Sequence, residues 1–197
     1  MKVLLLGNKA ELLVGRLQSC KLTVHQEKIS RDQVELWDPD LIVSFGYRHV
    51  LSDEVLSYPP RGALNLHISL LPWNRGSDPN FWSWLENTPK GVTIHQMVKK
   101  LDAGPIVSQK ELELPKNATL KQTYGMLVAE TVKLLPIALD GHLAGEAVLP
   151  PELTHGTFHK TGDLDAFGFL LREKGWDTIC GTIEKYGEEN GFWKDVS

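Results

Sequence analysis

Two short apolar runs constrain the fold more than anything else in this chain. Val3-Leu4-Leu5-Leu6 stops at Gly7, and Leu41-Ile42-Val43-Ser44-Phe45 stops at Gly46-Tyr47-Arg48. A strand with one wet face alternates apolar and polar side chains. A run without alternation, bounded by glycine, belongs to a strand covered on both faces, which is how parallel sheets in α/β proteins are built. The intervening segments fit that class. Ala10–Gln18 reads as a short helix, Leu22–His25 as a strand, and Ser30–Leu36 as a helix with Ser30 as its N-cap. Asp38-Pro39-Asp40 then breaks the chain. Ser52 caps a short helix through Leu56, which Pro59-Pro60 stops. With 197 residues the chain is long enough for one domain with a sizeable core. Gly7-Asn8-Lys9 lacks the G-x-G-x-x-G glycines that admit a pyrophosphate, which disfavours NAD.

Ala63–His67 reads as a further strand. Side chains alternate, so Ala63, Asn65 and His67 share one face and Leu64, Leu66 and Ile68 the other. The apolar set is expected in the core, leaving an amide and an imidazole on an open face at the strand end. Open α/β sheets place their sites at such ends. Taken alone, both residues also fit turn and hydrogen-bonding roles. Asp102, in the turn Leu101-Asp102-Ala103-Gly104, is an acid able to fold back against His67 Nδ1 and orient the ring. Gly91–Met97 and Ile106–Leu114 read as paired strands, with Pro105 tolerated at the start of the second. A helix opens at Pro79 after Ser77 or Asp78, with Phe81, Trp82 and Leu85 on its apolar face. Thr119 and Gln122 have the spacing of a capping box. The long helix behind them is expected to kink or end at Pro136. Gly156–Lys160 reads as extended, and Leu164–Gly175 and Thr178–Tyr186 as small helices.

Charge and cysteine usage limit the partners. Lys and Arg number 21 against 25 Asp and Glu, a formal charge of −4, which argues against a surface built for nucleic acid. Two cysteines without a short spacing make neither a disulfide framework nor a metal pair and fit a reducing compartment. The opening run MKVLLLG is too short for a signal segment or a membrane span. A cytoplasmic protein is expected. A metal site of His67, His95 and Asp102 lacks the helical H-E-x-x-H and Cys-rich zinc patterns, so no metal is expected.

Together, NLHISLLPWNRG, Pro79-Asn80-Phe81-Trp82, GVTIHQM and LDAGPI resemble the formyltransferases that use 10-formyltetrahydrofolate. The resemblance runs from about Val3 to Leu139 and more weakly to Lys160. It implies a Rossmann-like α/β fold, with a mostly parallel central sheet, an antiparallel part and helices on both faces. Residues 1–150 would form the catalytic domain, with 151–197 a short extension packed on it. It implies Asn65, His67 and Asp102 as the catalytic set. Phe45, Gly46, Tyr47, Val98, Leu101 and Gly104 would line the folate slot. Ser69, Leu70, Trp73 and Arg75 would meet the acceptor, with Arg75 facing an anionic part such as a phosphate.

The acceptor is narrowed by what the family members carry. Methionyl-tRNA formyltransferases have an extra tRNA-binding domain, and the tail here is short and not basic. Formyltetrahydrofolate hydrolases add an N-terminal domain. Glycinamide ribonucleotide formyltransferases match in length but carry a glycine-rich loop where this chain has Gly7-Asn8-Lys9-Ala10-Glu11. The PWNRG-SDP-xxW run is similar to the enzymes that formylate nucleotide-linked amino sugars. Such an acceptor is therefore expected, with glycinamide ribonucleotide, or an inactive folate- or nucleotide-binding module, as alternatives. Neither nucleic acid nor a membrane is an expected partner, and a homodimer is left open.

Overall fold

The structure, a computed structural model, describes residues 1–146, 148–149 and 155–195. Strands β1 (Lys2–Leu6), β2 (Lys21–His25), β3 (Leu41–Phe45), β4 (Ala63–His67), β6 (Gly91–Gln96) and β7 (Ile106–Glu111) form one six-stranded sheet in the order β2-β1-β3-β4-β6-β7. The β2-β1-β3-β4 part is parallel, with Leu5 opposite Val43 and Val43 opposite Leu64. Chain direction then reverses. Met97, just past β6, donates its N–H to Ala63 O at the start of β4 (2.7 Å), and Gln96 N–H donates to Pro105 O (2.8 Å). The chain order also reverses between β1 and β3, which places a topological switch point there.

Both apolar runs lie where their composition put them. All five residues of β3 and Val3–Leu6 of β1 are buried. One expectation about β4 needs correcting. The face that carries Asn65 is not open, because Ala63 is 5% and His67 6% exposed. An internal strand of a parallel sheet is covered on both sides, and only Asn65 is half-buried.

The chain divides into two compact units. One comprises Met1–His67, Ile94–Ser108 and Thr131–Pro151; the other comprises Ile68–Thr93, Gln109–Glu130 and Glu152–Ser197. The expected domain boundary at 150/151 falls outside the described residues. In the first unit Leu4, Leu6, Ile42 and Ala63 pack with Ile29, Val34, Leu51 and Val55. The last four belong to, or flank, helices α1 (Arg31–Trp37) and α2 (Asp53–Leu56). Ser30 caps α1 in a full capping box with Gln33, and Ser52 caps α2 by accepting from Val55 N–H. Ala10–Arg16 forms a 3-10 helix instead of an α-helix. So short a segment, with Gly15 in its last turn, does not repay α-helical nucleation.

The second unit has its own core, in which Phe81, Trp82, Trp84 and Leu85 meet Leu120, Cys180 and Ile183. Helix α3 (Pro79–Leu85) is buried along its whole length and has Pro79 in its first turn. Asp78 is its cap residue but lies at φ 52 and makes no side-chain cap. Helix α6 (Cys180–Glu189) packs closely on it because Gly187 has no side chain; a Cβ there would sit 1.9 Å from Leu85 O. Strands β5 (Arg75–Gly76) and β8 (Phe158–His159) pair in parallel. The expected helix at Leu164–Gly175 divides into a 3-10 turn at Asp163–Phe167 and the short α5 (Gly168–Leu171). Helix α4 (Leu120–Ala144) opens with the expected Thr119/Gln122 box. It does not end at Pro136; Leu135, Ala138 and Leu139 are buried on either side of the proline, and their packing carries the helix through. Among the described residues, no helix is long and apolar enough to cross a membrane.

Candidate active site

The first unit gathers Asn65, His67, His95 and Asp102. Asn65 and His67 come from one face of β4, as the period-two rule requires. His95 comes from β6, the neighbour of β4 in the sheet. Asp102 sits in the turn after β6 at φ 47. That turn lies close against the end of β6 because residue 104 is glycine, whose Cβ would fall 1.8 Å from Gln96 O.

The hydrogen bonds fix the protons. His95 Nδ1 is 2.9 Å from Gln96 O. A carbonyl only accepts, so Nδ1 carries the hydrogen and Nε2 is left as an acceptor in the neutral ring. Asn65 Nδ2 lies 3.2 Å from that Nε2 and 3.1 Å from Asp102 Oδ1. A carboxylate also accepts only, so the amide must point its NH2 this way, with one hydrogen toward each partner. His67 Nδ1 faces Asp102 Oδ2 at 3.7 Å, near enough for charge attraction and too far for a hydrogen bond. His67, His95 and Asp102 are 6%, 2% and 6% exposed, so little water screens these charges. Among the described residues no group of three or more His, Cys, Asp or Glu is arranged to hold a metal ion.

The expected folate residues fall into two kinds. Phe45 is buried at the end of β3, where its carbonyl accepts from Lys9 N–H at 3.3 Å. Gly46, at φ 68, turns the chain beside Asn8, whose Oδ1 a Cβ would approach to 2.4 Å. The Tyr47 hydroxyl donates to Glu27 O (2.9 Å) and accepts from Ile29 N–H (3.1 Å). That phenol therefore fixes the loop after β2, and burial raises its pKa above the ordinary value. Val98 and Leu101, in the loop that carries Asp102, are exposed apolar residues at 42% and 46%.

The expected acceptor residues all belong to the second unit. Ser69 Oγ donates to Trp73 O at 2.7 Å, and Trp73 N–H donates to Leu70 O at 3.0 Å, closing a compact turn around the cis Leu71-Pro72 bond. Thr93 Oγ1 steadies the same loop, donating to Ser69 O (2.7 Å) and accepting from Leu71 N–H (3.1 Å). Arg75 is 8% exposed.

A family model described as formyl transferase matches residues 16–139. The chain belongs to the formyl transferase family. The formyltransferase PseJ from Anoxybacillus kamchatkensis, solved with UDP-4,6-dideoxy-4-formamido-L-AltNAc and tetrahydrofolate, is 37% identical; the match covers 94% of this chain and 100% of that one at a TM-score of 0.86. A sugar N-formyltransferase from a Shewanella species shares the fold at 22% identity, over 93% of this chain and 86% of that one, with a TM-score of 0.75. Glycinamide ribonucleotide transformylase 1 from Symbiobacterium toebii does so at 17% identity, 74% and 88% coverage and a TM-score of 0.66.

Sequence reasoning weighed His95 in this formyltransferase only as a metal ligand and missed its bond to Asn65. The usable signal was Thr93 and His95 sharing a face of GVTIHQ, as Asn65 and His67 share one of ALNLH. Which strand lies beside which is not written in either segment.

Proposed function

We propose that this N-formyltransferase moves a formyl group from 10-formyltetrahydrofolate to the primary amine of a nucleotide-linked amino sugar. The observation that carries the reading is the buried Asn65–His67–His95–Asp102 cluster, in a chain 37% identical to a formyltransferase solved with a UDP-formamido sugar and tetrahydrofolate. The folate supplies the formyl carbon; the chain's own side chains do the rest. Asp102 Oδ2, 3.7 Å from His67 Nδ1, is the counter-charge to the ring in the form where both of its nitrogens carry hydrogen. His67 then donates from Nε2 to the oxygen that gains negative charge as the amine attacks, and one such donor is worth roughly 3 kcal/mol. Asn65 has both amide hydrogens engaged, so Oδ1 is the atom left to accept an N–H of the incoming amine and aim its lone pair. Asp102 takes the proton the amine must lose, directly or through water, and as the intermediate collapses the carbon–nitrogen bond to the folate breaks, the folate nitrogen taking up a proton to leave as tetrahydrofolate. No covalent enzyme intermediate is required. Val98 and Leu101 supply apolar surface for the folate ring. The unpaired thiols Cys20 and Cys180 fit a reducing compartment such as the cytoplasm.

The test is a screen of amines with 10-formyltetrahydrofolate, read by release of tetrahydrofolate. Turnover with a nucleotide-linked amino sugar is expected. Turnover with glycinamide ribonucleotide alone would replace the acceptor, and efficient formylation of charged initiator tRNA would overturn the small-molecule reading.

A further inference from the structure

The second unit holds a buried cation beside an exposed aromatic ring. Arg75 and Phe158 are directly opposite each other in the β5–β8 pair. Arg75 N–H donates to Thr157 O at 3.0 Å and Ser77 N–H to His159 O at 2.9 Å. Gly76, at φ 90, lets the two strands touch, since a Cβ there would fall 2.1 Å from His159 O. The PWNRG loop is thereby fixed to the 157–159 segment.

Along β8 the side chains alternate. His159 turns inward, stacks on Trp82 at 3.9 Å and sets Nε2 3.2 Å from the buried Glu86 carboxylate. Phe158 turns outward and is 43% exposed. The Arg75 guanidinium carbon lies 5.8 Å from the Phe158 ring centre. Arg75 is 8% exposed, its Nε is buried without a hydrogen-bond partner, and among the described residues no carboxylate forms an ion pair with it. The Phe158 ring offsets part of the cost of burying this cation, but its Nε keeps an unmet donor and its fork matches phosphate oxygens.

We propose that Arg75 and Phe158 form the nucleotide subsite of the acceptor, the guanidinium meeting the diphosphate and the ring stacking on the base. A sugar offers neither a charge nor a flat face. A nucleoside diphosphate offers both, within the reach of two side chains facing each other in one ladder. The proposal rests on the reading that the acceptor is nucleotide-linked, and it is tested without the transfer reaction.

The experiment is calorimetric titration of the full chain with UDP, uridine and inorganic pyrophosphate, with no folate or amine present. UDP should bind more tightly than either of the others. Phe158→Ala should raise the UDP Kd on the order of tenfold, the usual loss of one base stack, and leave pyrophosphate binding unchanged. Phe158→Trp should keep UDP affinity. Arg75→Lys should weaken UDP and pyrophosphate together, because an ammonium cannot reproduce the bidentate fork. Phe158 is exposed, so its replacement should leave the melting temperature in place and decides the matter even if the Arg75 variant does not fold. A UDP affinity indifferent to Phe158→Ala, or wild-type protein that does not bind UDP, overturns the subsite. UDP binding of the expected kind without formylation of any amino sugar would overturn the proposed function and leave the subsite standing.

Discussion

The two units treat buried polar groups in opposite ways. In the first, Asn65, His95 and Asp102 are hydrogen-bonded to one another and to the backbone. In the second, Arg75 Nε, Trp82 Nε1 and Trp84 Nε1 are buried without partners. The division is not absolute, since His25 Nε2 in the first unit is also unpartnered. Yet Arg75 Nε, Trp82 Nε1 and Trp84 Nε1 are all donors, and Lys90 brings a further cation to this unit, its ammonium donating to two backbone carbonyls. A satisfied network is rigid, whereas each buried unmet donor costs about 1–3 kcal/mol. The first unit holds a finished hydrogen-bond geometry, which suits the catalysis proposed for it. The second holds an unmet donor on a cation at Arg75, which suits binding an anion.

That contrast predicts different kinetic signatures. His67→Ala should lower kcat by roughly 10²–10⁴, with little change in folate Kd, because the ring acts in the transition state. Asp102→Asn should cost a comparable factor. The new amide can still accept from Asn65 Nδ2, but it carries no charge to pair with the ring when His67 donates from Nε2. The double variant should be little worse than the worse single, since the pair acts as a unit. Near-normal turnover in folded His67→Ala protein would break the assignment. Arg75→Ala should instead raise KM for the acceptor by roughly ten- to a hundredfold, the loss of one charged hydrogen-bonding partner, and leave the KM for folate almost unmoved. A fall in kcat alone would erase the distinction between the units.

Much of this was legible in the sequence, unevenly. Val3–Leu6 and Leu41–Phe45 announced a buried parallel sheet because no solvated strand tolerates such runs. Thr119 and Gln122 announced the start of α4 because a capping box is a local event. Asn65 and His67 could be placed on one face by counting. What failed depended on partners distant in the chain. The β4 face with His67 is covered by tertiary packing, which its own five residues do not record. Pro136 reads locally as a kink or a stop, and of the two the stop is ruled out, since Leu135, Ala138 and Leu139 are held on both sides. The same holds for Phe158 and His159, whose roles are set by Arg75 and Trp82.

Lys90 gives a third way to sharpen the contrast. Its Nζ donates to Ser83 O and Thr88 O, each at 3.0 Å, and lies 4.6 Å from the centre of the Trp84 ring. Burial lowers its pKa from 10.5 to about 8. Between those two values the unfolded chain holds a proton that the folded chain lacks, so stability rises with pH across that window. Below about pH 8 both states are protonated and the cost of burying the charge is constant. Comparing wild type with Lys90→Met cancels the other titrating groups. The stability difference should stay level from pH 6 to 8, then shift by about 3 kcal/mol in favour of wild type by pH 10.5. Denaturant melts that run parallel through the whole range would show that Lys90 is not held in a desolvated site.

The smallest effect tests how finished the first unit's geometry is. His95 makes one neutral hydrogen bond to Asn65, sets the same Nε2 3.4 Å from Asp102 Oδ1 and is anchored by Gln96 O. It is placed to orient the amide, which Asp102 holds from the other side. His95→Ala should therefore lower kcat by about tenfold or less, the scale of one neutral hydrogen bond, and leave the KM values for folate and acceptor near wild type. A purely structural histidine would give a similar loss through misfolding, so the decisive comparison is with Asn65→Ala. Once Asn65 is gone, His95 has no amide left to orient. The double variant should then turn over at the rate of Asn65→Ala alone, with the two losses strongly non-additive. Losses that multiply would mean that His95 acts on the site by a route other than Asn65, of which its 3.4 Å approach to Asp102 Oδ1 is the one at hand.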